Sequence, residues 1–277
     1  MAYKTILTQL PSAARAKQML KVAVPLAQVQ GAHLIGLHVI PRVPVTFGVV
    51  EAQIPVDIIE QQTKALEEDA KKTEEIFRHE TQGYESNCEW RCNHLEHANI
   101  STDIVDQSLA ADLIIVSQDD PDPFGMRSDI PSSVVFGTGR PVMILPRDGD
   151  SGPTDGIIRR VTIAWNRSRE AARAVFDAMP VLQHAEKVTI VAVDPPHATF
   201  GDELAAALAR HGVRVEVTPV AREGRSVGEA IAAQADADDA DLIVMGCYGH
   251  SAFRESLFGG ATYDLLEDMK RPVLMAH

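Results

Sequence analysis

Two stretches of this chain run in the same order. Thr5-Ile6-Leu7, a short loop and Ala13-Ala14-Arg15-Ala16 are answered, with a one-residue gap, by Thr162-Ile163-Ala164, a short loop and Ala171-Ala172-Arg173-Ala174. Ala111-Asp112-Leu113-Ile114-Ile115 is answered by Ala240-Asp241-Leu242-Ile243-Val244, and Arg140-Pro141-Val142-Met143 by Arg271-Pro272-Val273-Leu274. Ordered self-similarity of this kind means one structural unit built twice, so a fold that suits one half must suit the other. The 277 residues are enough for two cores at roughly 100 to 200 residues per domain, and 45% apolar residues can fill both.

Between the copies, Arg147 to Gly156 is dominated by Asp, Gly, Ser and Pro, which favour turns and bury nothing. The expected units are therefore 1–147 and 157–277. Each alternates short apolar runs with helical spacing, the signature of βαβ units. This predicts two tandem doubly wound, Rossmann-like α/β units, each with a mostly parallel five-stranded sheet. In the second copy strands are expected near 160–165, 187–193, 213–218, 241–245 and 272–276. The first helix of each unit opens at Ser12 or Ser168 and buries Ala16, Met19, Leu20 and Ala23, or Ala171, Ala174, Val175 and Ala178. The first copy also carries a polar segment from Pro55 to Gly83, with Ile58, Ile59, Leu66 and Ile76, which reads as a long exposed helix acting as a lid or packing element.

Charge narrows the function classes. Lys and Arg number 26 against 39 Asp and Glu, a net −13 that disfavours nucleic acid and anionic membrane as partners. The first residues lack the basic start and apolar run of a secretory signal, and no apolar stretch approaches a membrane span, so the cytoplasm is the expected location. Cys88, Cys92 and Cys247 are too few and too uneven for a disulfide framework.

The chemistry concentrates in one stretch. After Leu242-Ile243-Val244-Met245 the chain reads Gly246-Cys247-Tyr248-Gly249, nine residues, then Gly259-Gly260-Ala261-Thr262 opening a helix. Glycines let backbone N–H groups approach phosphate oxygens, and a helix N-terminus adds partial positive charge, so an anion can be held there without a lysine. The pattern resembles the ATP-binding loop of the universal stress protein family, and the match runs in order through the whole second half. That resemblance implies adenosine at the sheet's carboxyl edge near Ala164, Trp165, Asn166 and Val193. It implies phosphates over Gly246, Gly249, Gly259, Gly260, Ala261 and Thr262, with Met245 and His250 flanking them, and ATP, with Mg as its companion ion, as the ligand. Two positions depart from the family pattern: Asn166 stands where binding members usually carry Asp, and Gly260 where they carry Ser or Thr. Trp165 either stacks on the base or fills its space. The resemblance further implies that the closing strands Pro141 to Leu145 and Pro272 to Ala276, otherwise exposed edges, pair into an internal pseudo-dimer, with a further homodimer open to it.

The first copy replaces this loop with Ser117 to Pro131, followed by Gly137-Thr138-Gly139. Its Asp119, Asp120, Asp122 and Asp129 would repel a phosphate chain and its prolines remove donors, so no nucleotide is expected there.

Other candidates rank lower. Cys88, Cys92, His94 and His97 suggest zinc, but their spacing fits no common finger, and the alternation around Trp90 reads as a half-buried strand. Cys247 could be a redox-sensitive thiol or simply a small loop residue. His184, His197 and His211 have no carboxylate or nucleophile at a useful spacing and read as surface histidines. No phosphate loop with its lysine, no Gly-x-Ser-x-Gly elbow and no His-Glu-x-x-His helix is present, so no residue is assigned a catalytic role. The leading expectation is a stress-response module whose nucleotide-linked closure is read by another protein. A ligand-free interaction scaffold and slow ATP hydrolysis, with Asp194 or His250 orienting water, are the alternatives.

Overall fold

The computed structural model describes residues 2–42, 56–95, 99–119, 130–148, 152–247 and 260–277. The first half contains β1 (Thr5–Gln9), α1 (Ala13–Gln30), β2 (His33–Ile40), α2 (Val56–Glu80), β3 (Cys88–His94), α3 (Ile100–Ser108), β4 (Leu113–Ser117), α4 (Ile130–Thr138) and β5 (Val142–Leu145). The second contains β6 (Arg160–Ala164), α5 (Arg169–Asp177), the short α6 (Met179–Leu182), β7 (Lys187–Val193), α7 (Asp202–Arg210), β8 (Val215–Val220), α8 (Val227–Ala237), β9 (Leu242–Gly246), α9 (Gly260–Glu267) and β10 (Val273–Ala276).

The strands form one ten-stranded sheet in the order β3-β2-β1-β4-β5-β10-β9-β6-β7-β8, five strands from each half. Each half is parallel throughout, and the halves meet at the antiparallel β5–β10 pair, where Met143 lies opposite Leu274. An apolar closing strand in each half, with nothing else to cover its open edge, accounts for the fusion. The apolar runs that make these strands are buried on both faces, as parallel sheets require: Leu113, Ile114, Ile115 and Val116 are all 0% exposed. One core, containing Ile6, Leu20, Leu113, Ile163, Ala174 and Val244, runs along one face across both halves. The other, containing Leu7, Ile114, Val135, Ala164, Met245 and Leu265, fills the opposite face. Side chains also cross the seam: Tyr3 Oη donates to the Asp177 carbonyl at 2.8 Å and Gln30 Nε2 to that of Pro180 at 3.4 Å.

Strand pairing resets the register of the repeat. Ile6 pairs with Leu113 and Val161 with Leu242, so Thr5 corresponds to Arg160, and the match of Thr5 to Thr162 is two residues off. The repeated Asp gives the physical check. Asp112 Oδ2 accepts from the N–H groups of Lys4 and Thr5 at 2.8 and 3.0 Å, and Asp241 Oδ2 from those of Arg159 and Arg160 at 2.8 and 2.9 Å. Each Asp thus ties the start of the first strand of its unit to the start of the fourth. In the second copy β8 begins two residues later than expected, and β9 and β10 one residue later.

Two other expectations change. Ser168 caps α5, its Oγ accepting from Ala171 N at 3.0 Å, but Ser12 makes no such bond. The Ala13 N–H points instead at Asp69 of α2, 3.2 and 3.3 Å from the two carboxylate oxygens. The long polar helix is therefore a packing element over its C-terminal part, burying Ala70, Thr73 and Phe77 while Ile58 stays exposed. The connection between halves also buries more than expected. An added Cβ at Gly156, whose φ is +72°, would lie 2.3 Å from the Pro25 carbonyl carbon of α1, and Ile158 is 7% exposed. Among the described residues no helix is long and apolar enough to cross a membrane.

Candidate functional site

In the second half the crossovers run one way from β6 to β7 and the other way to β9, so a crevice opens between the carboxyl ends of β6 and β9. Ala164 and Met245 pair directly across it, and Val193 ends the next strand over. These three share the core on one face of the sheet, with Ala164 and Met245 nearly buried. Trp165, one residue past β6, alternates to the other face. Its N–H donates to the Val191 carbonyl at 2.8 Å, and its half-buried ring packs on the opposite core. The structure therefore brings Ala164, Val193 and Met245 together and sets Trp165 apart from them.

Asn166 is exposed, and its Oδ1 accepts from the Ser168 N–H at 3.0 Å, so the carboxamide shapes the turn into α5. Arg167 beside it and Asp194 after β7 are left-handed, with φ of +58° and +45°. Two non-glycine residues in this region on adjacent strand ends mark a rim held in place by its surroundings. Arg222 binds both Asp194 oxygens, through its N–H at 3.1 Å and through Nε, and holds that carboxyl below its ordinary pKa. Asp194 is committed to this pair rather than free to orient a water.

Gly246 has a packing role that its place in the motif does not announce. An added Cβ would lie 2.2 Å from Ala171 N and 2.4 Å from the Glu170 carbonyl carbon, so the glycine lets the first turn of α5 rest on β9. Gly260 opens α9 with none of the described residues within 4 Å of an added Cβ, and Thr262 is buried in the same turn. Ala261 lies between them in α9. Gly249, His250 and Gly259 lie outside the described residues. Cys247 is buried, with Sγ donating to the Ala276 carbonyl at 3.3 Å, and burial pushes its thiol pKa up, which argues against a reactive thiol. Sequence reasoning missed Glu170. This carboxylate is buried beside Gly246 in the first turn of α5, and its pKa is held low by its own backbone N–H and by Arg169. The signal was a Glu just after an N-capping Ser, where the helix N-terminus favours negative charge.

The matching crevice of the first half is spanned by its own side chains. Strand pairing sets Ser117 opposite Leu145 and Gly246 opposite Ala276, so Ser117 is the counterpart of Gly246. Arg15 of α1 donates to Ser117 Oγ at 2.7 Å and to the Arg147 carbonyl at 2.6 Å. With Asp69 at the start of α1, this end of the first-half sheet is bridged by the chain's own side chains. Asp120, Asp122 and Asp129 lie outside the described residues.

Cys88 and Cys92 lie on edge strand β3, and Cys88 packs with Trp90 on the core. His97 is outside the described residues, and among those described no three His, Cys, Asp or Glu side chains could hold a metal ion. Burial pushes the Cys88 thiol up to about 11, and that of Cys92 upward. Both should therefore react slowly with iodoacetamide near pH 7.5 and at once in denaturant, since the thiolate is the nucleophile. Fast native labelling by peptide mass spectrometry would contradict this burial.

Over its full length the fold matches solved structures. A universal stress protein from Archaeoglobus fulgidus DSM 4304 superposes with a TM-score of 0.67 at 17% identity, covering 98% of this chain and 95% of that one. A functionally unknown protein from Pseudomonas aeruginosa PAO1 does so with a TM-score of 0.58 at 14% identity, covering 99% and 92%. No curated protein matches the sequence. The model of the universal stress protein family matches residues 158–277. The second half thus carries a universal stress protein family domain, and the first half repeats its order of strands and helices.

Proposed function

We propose that the second unit, 157–277, binds one adenine nucleotide per chain, ATP entering with its Mg ion, and that the first unit, 1–147, binds none. In this reading the base and ribose lie over Ala164 and Val193 at the β6–β9 crevice. The phosphates lie against Gly249, Gly259, Gly260, Ala261 and Thr262, where helix α9 directs its N-terminal N–H groups. The observation that carries the reading is the coincidence of three features. The apolar strand ends Ala164, Val193 and Met245 meet at the switch point, β9 leads from there through the glycine motif to α9, and the family model covers both. The described residues offer no metal cluster, so Mg would be held by the phosphates themselves. Ligand-linked stabilisation of the loop, read by a partner protein in the cytoplasm, is the regulatory output, and no bond need be broken.

The test is calorimetric titration with MgATP. One site per chain is expected, and Gly260→Ser should tighten it by about two- to tenfold, the worth of one added hydroxyl hydrogen bond, at a position that none of the described residues crowds. Two sites per chain would place a ligand in the wrong half. A ligand-free scaffold is the second reading, favoured by Asn166 being spent on the α5 turn. Heatless titrations, together with no nucleotide in the mass spectrum of gently purified protein, would carry that reading instead.

A further inference from the structure

We infer that Gln118 of the first half is a positioning residue for the phosphate-binding helix of the second; this rests on the nucleotide reading above. Gln118 follows β4 directly, at the head of the segment that stands where the glycine loop would be. Its backbone N–H donates to the Leu145 carbonyl at 2.8 Å, as that of its counterpart Cys247 donates to Ala276 at 3.2 Å. The side chains then diverge. Cys247 turns back onto its own half, whereas Gln118 Nε2 crosses the seam to the carbonyls of Leu266 and Glu267, at 2.7 and 3.2 Å.

Those carbonyls belong to the last turn of α9, where backbone acceptors have no partner within the helix. Gln118 supplies one, and its Oε1 is itself fixed by the Arg147 N–H at 2.8 Å. Arg147 in turn donates from Nη1 to the Asp119 carbonyl at 3.1 Å and accepts from Arg15 at 2.6 Å. The amide is thus anchored on the first half at one end and on α9 at the other. An α9 of eight residues is a rigid rod roughly 12 Å long, so displacement at its C-terminus carries through to the N-terminal donors. Hydrogen bonds to phosphate tolerate only a few tenths of an ångström before weakening. The first half thereby contributes to affinity without touching the ligand.

Three substitutions separate this from a general structural role. Gln118→Met keeps length and packing but loses both ends of the bridge. Gln118→Lys also loses the Arg147 contact yet can still donate to the α9 carbonyls, with a cation that suits a helix C-terminus. Gln118→Glu keeps an acceptor for Arg147 and sets a negative charge against those carbonyls. MgATP dissociation constants from calorimetry are expected to stay within about twofold of wild type for Lys, to rise about three- to tenfold for Met, and to rise most for Glu. Amide exchange in residues 262–269 should follow the same order. If Lys and Met are weakened alike, the Arg147 side of the bridge is what matters and the inference falls. It falls equally if Met and Glu bind as wild type does. Should wild-type protein bind no MgATP, the nucleotide reading fails first, and with it the effect on affinity; the bracing of α9 then stands or falls on amide exchange alone.

Discussion

Gly246→Ala is expected to lower the melting temperature of the whole chain by roughly 6–12 °C, the equivalent of about 3 kcal/mol in a protein of this size. The added methyl would meet Ala171 N at 2.2 Å, the Glu170 carbonyl carbon at 2.4 Å and Ala171 Cα at 2.7 Å, all of them backbone. No rotamer change can relieve such a clash, so α5 must lift from β9. That helix also seats Ala174 and Val175 in the core, and its Arg173 reaches across the seam to the Gly139 carbonyl. Displacement would therefore be felt on both sides of the sheet. Thermal unfolding followed by circular dichroism reads the effect. A melting temperature within 2 °C of wild type would mean that α5 does not rest on β9 in this way. The mirror change, Ser117→Gly, meets no clash; it removes the hydroxymethyl group that receives Arg15 and donates to the Gln118 carbonyl, and should cost about 1–2 kcal/mol.

Gly249→Val has the opposite signature: MgATP binding lost, with the melting temperature of the unliganded protein nearly unchanged. In the motif reading this glycine lets backbone N–H groups approach the phosphates, and a β-branched side chain would occupy that space. Losing two hydrogen bonds to a charged oxygen, each worth about 1.5–3 kcal/mol, weakens binding by 3 kcal/mol or more, over a hundredfold. Calorimetry and a melt on the same preparation distinguish the outcomes. Retained affinity would remove the loop from the site, whereas a large loss of stability would make Gly249 a packing glycine like Gly246. The two substitutions together sort the glycines of one motif by what each is for, which spacing alone cannot do.

The fold was legible because its signals are collective. Apolar runs, their repetition in order and the predicted burial of Ala16, Met19, Leu20 and Ala23, all at most 2% exposed, report the same alternation many times over. The pairing of the closing strands was legible too, since an apolar edge strand needs a partner. Register was not: Thr5 and Thr162 look alike, but identity at one position cannot outweigh the Asp112 and Asp241 bonds that fix where each first strand begins. The candidate site was legible only in part. Its backbone elements follow from the strand order, which sets Ala164, Val193 and Met245 together on one face of the sheet. The orientation of Trp165 depends on which residue ends the strand, and the role of Gly246 on how closely a helix far along the chain approaches it. Asp69 meeting α1, and Gln118 meeting α9, join residues far apart in sequence and leave no local trace.

The antiparallel β5–β10 seam also changes what each position in the chain is free to become. In a dimer of identical subunits every substitution appears twice, so a residue that improves one side of the interface must also serve on the other. Joining the subunits in one polypeptide lifts that requirement and replaces a concentration-dependent encounter with a tethered one, so assembly no longer varies with the amount of protein made. Gln118 in one half where the other has Cys247, and Ser117 where the other has Gly246, are divisions of labour that a symmetric pair could not hold. Two linked halves can therefore diverge, one being reshaped into a support on which the other leans.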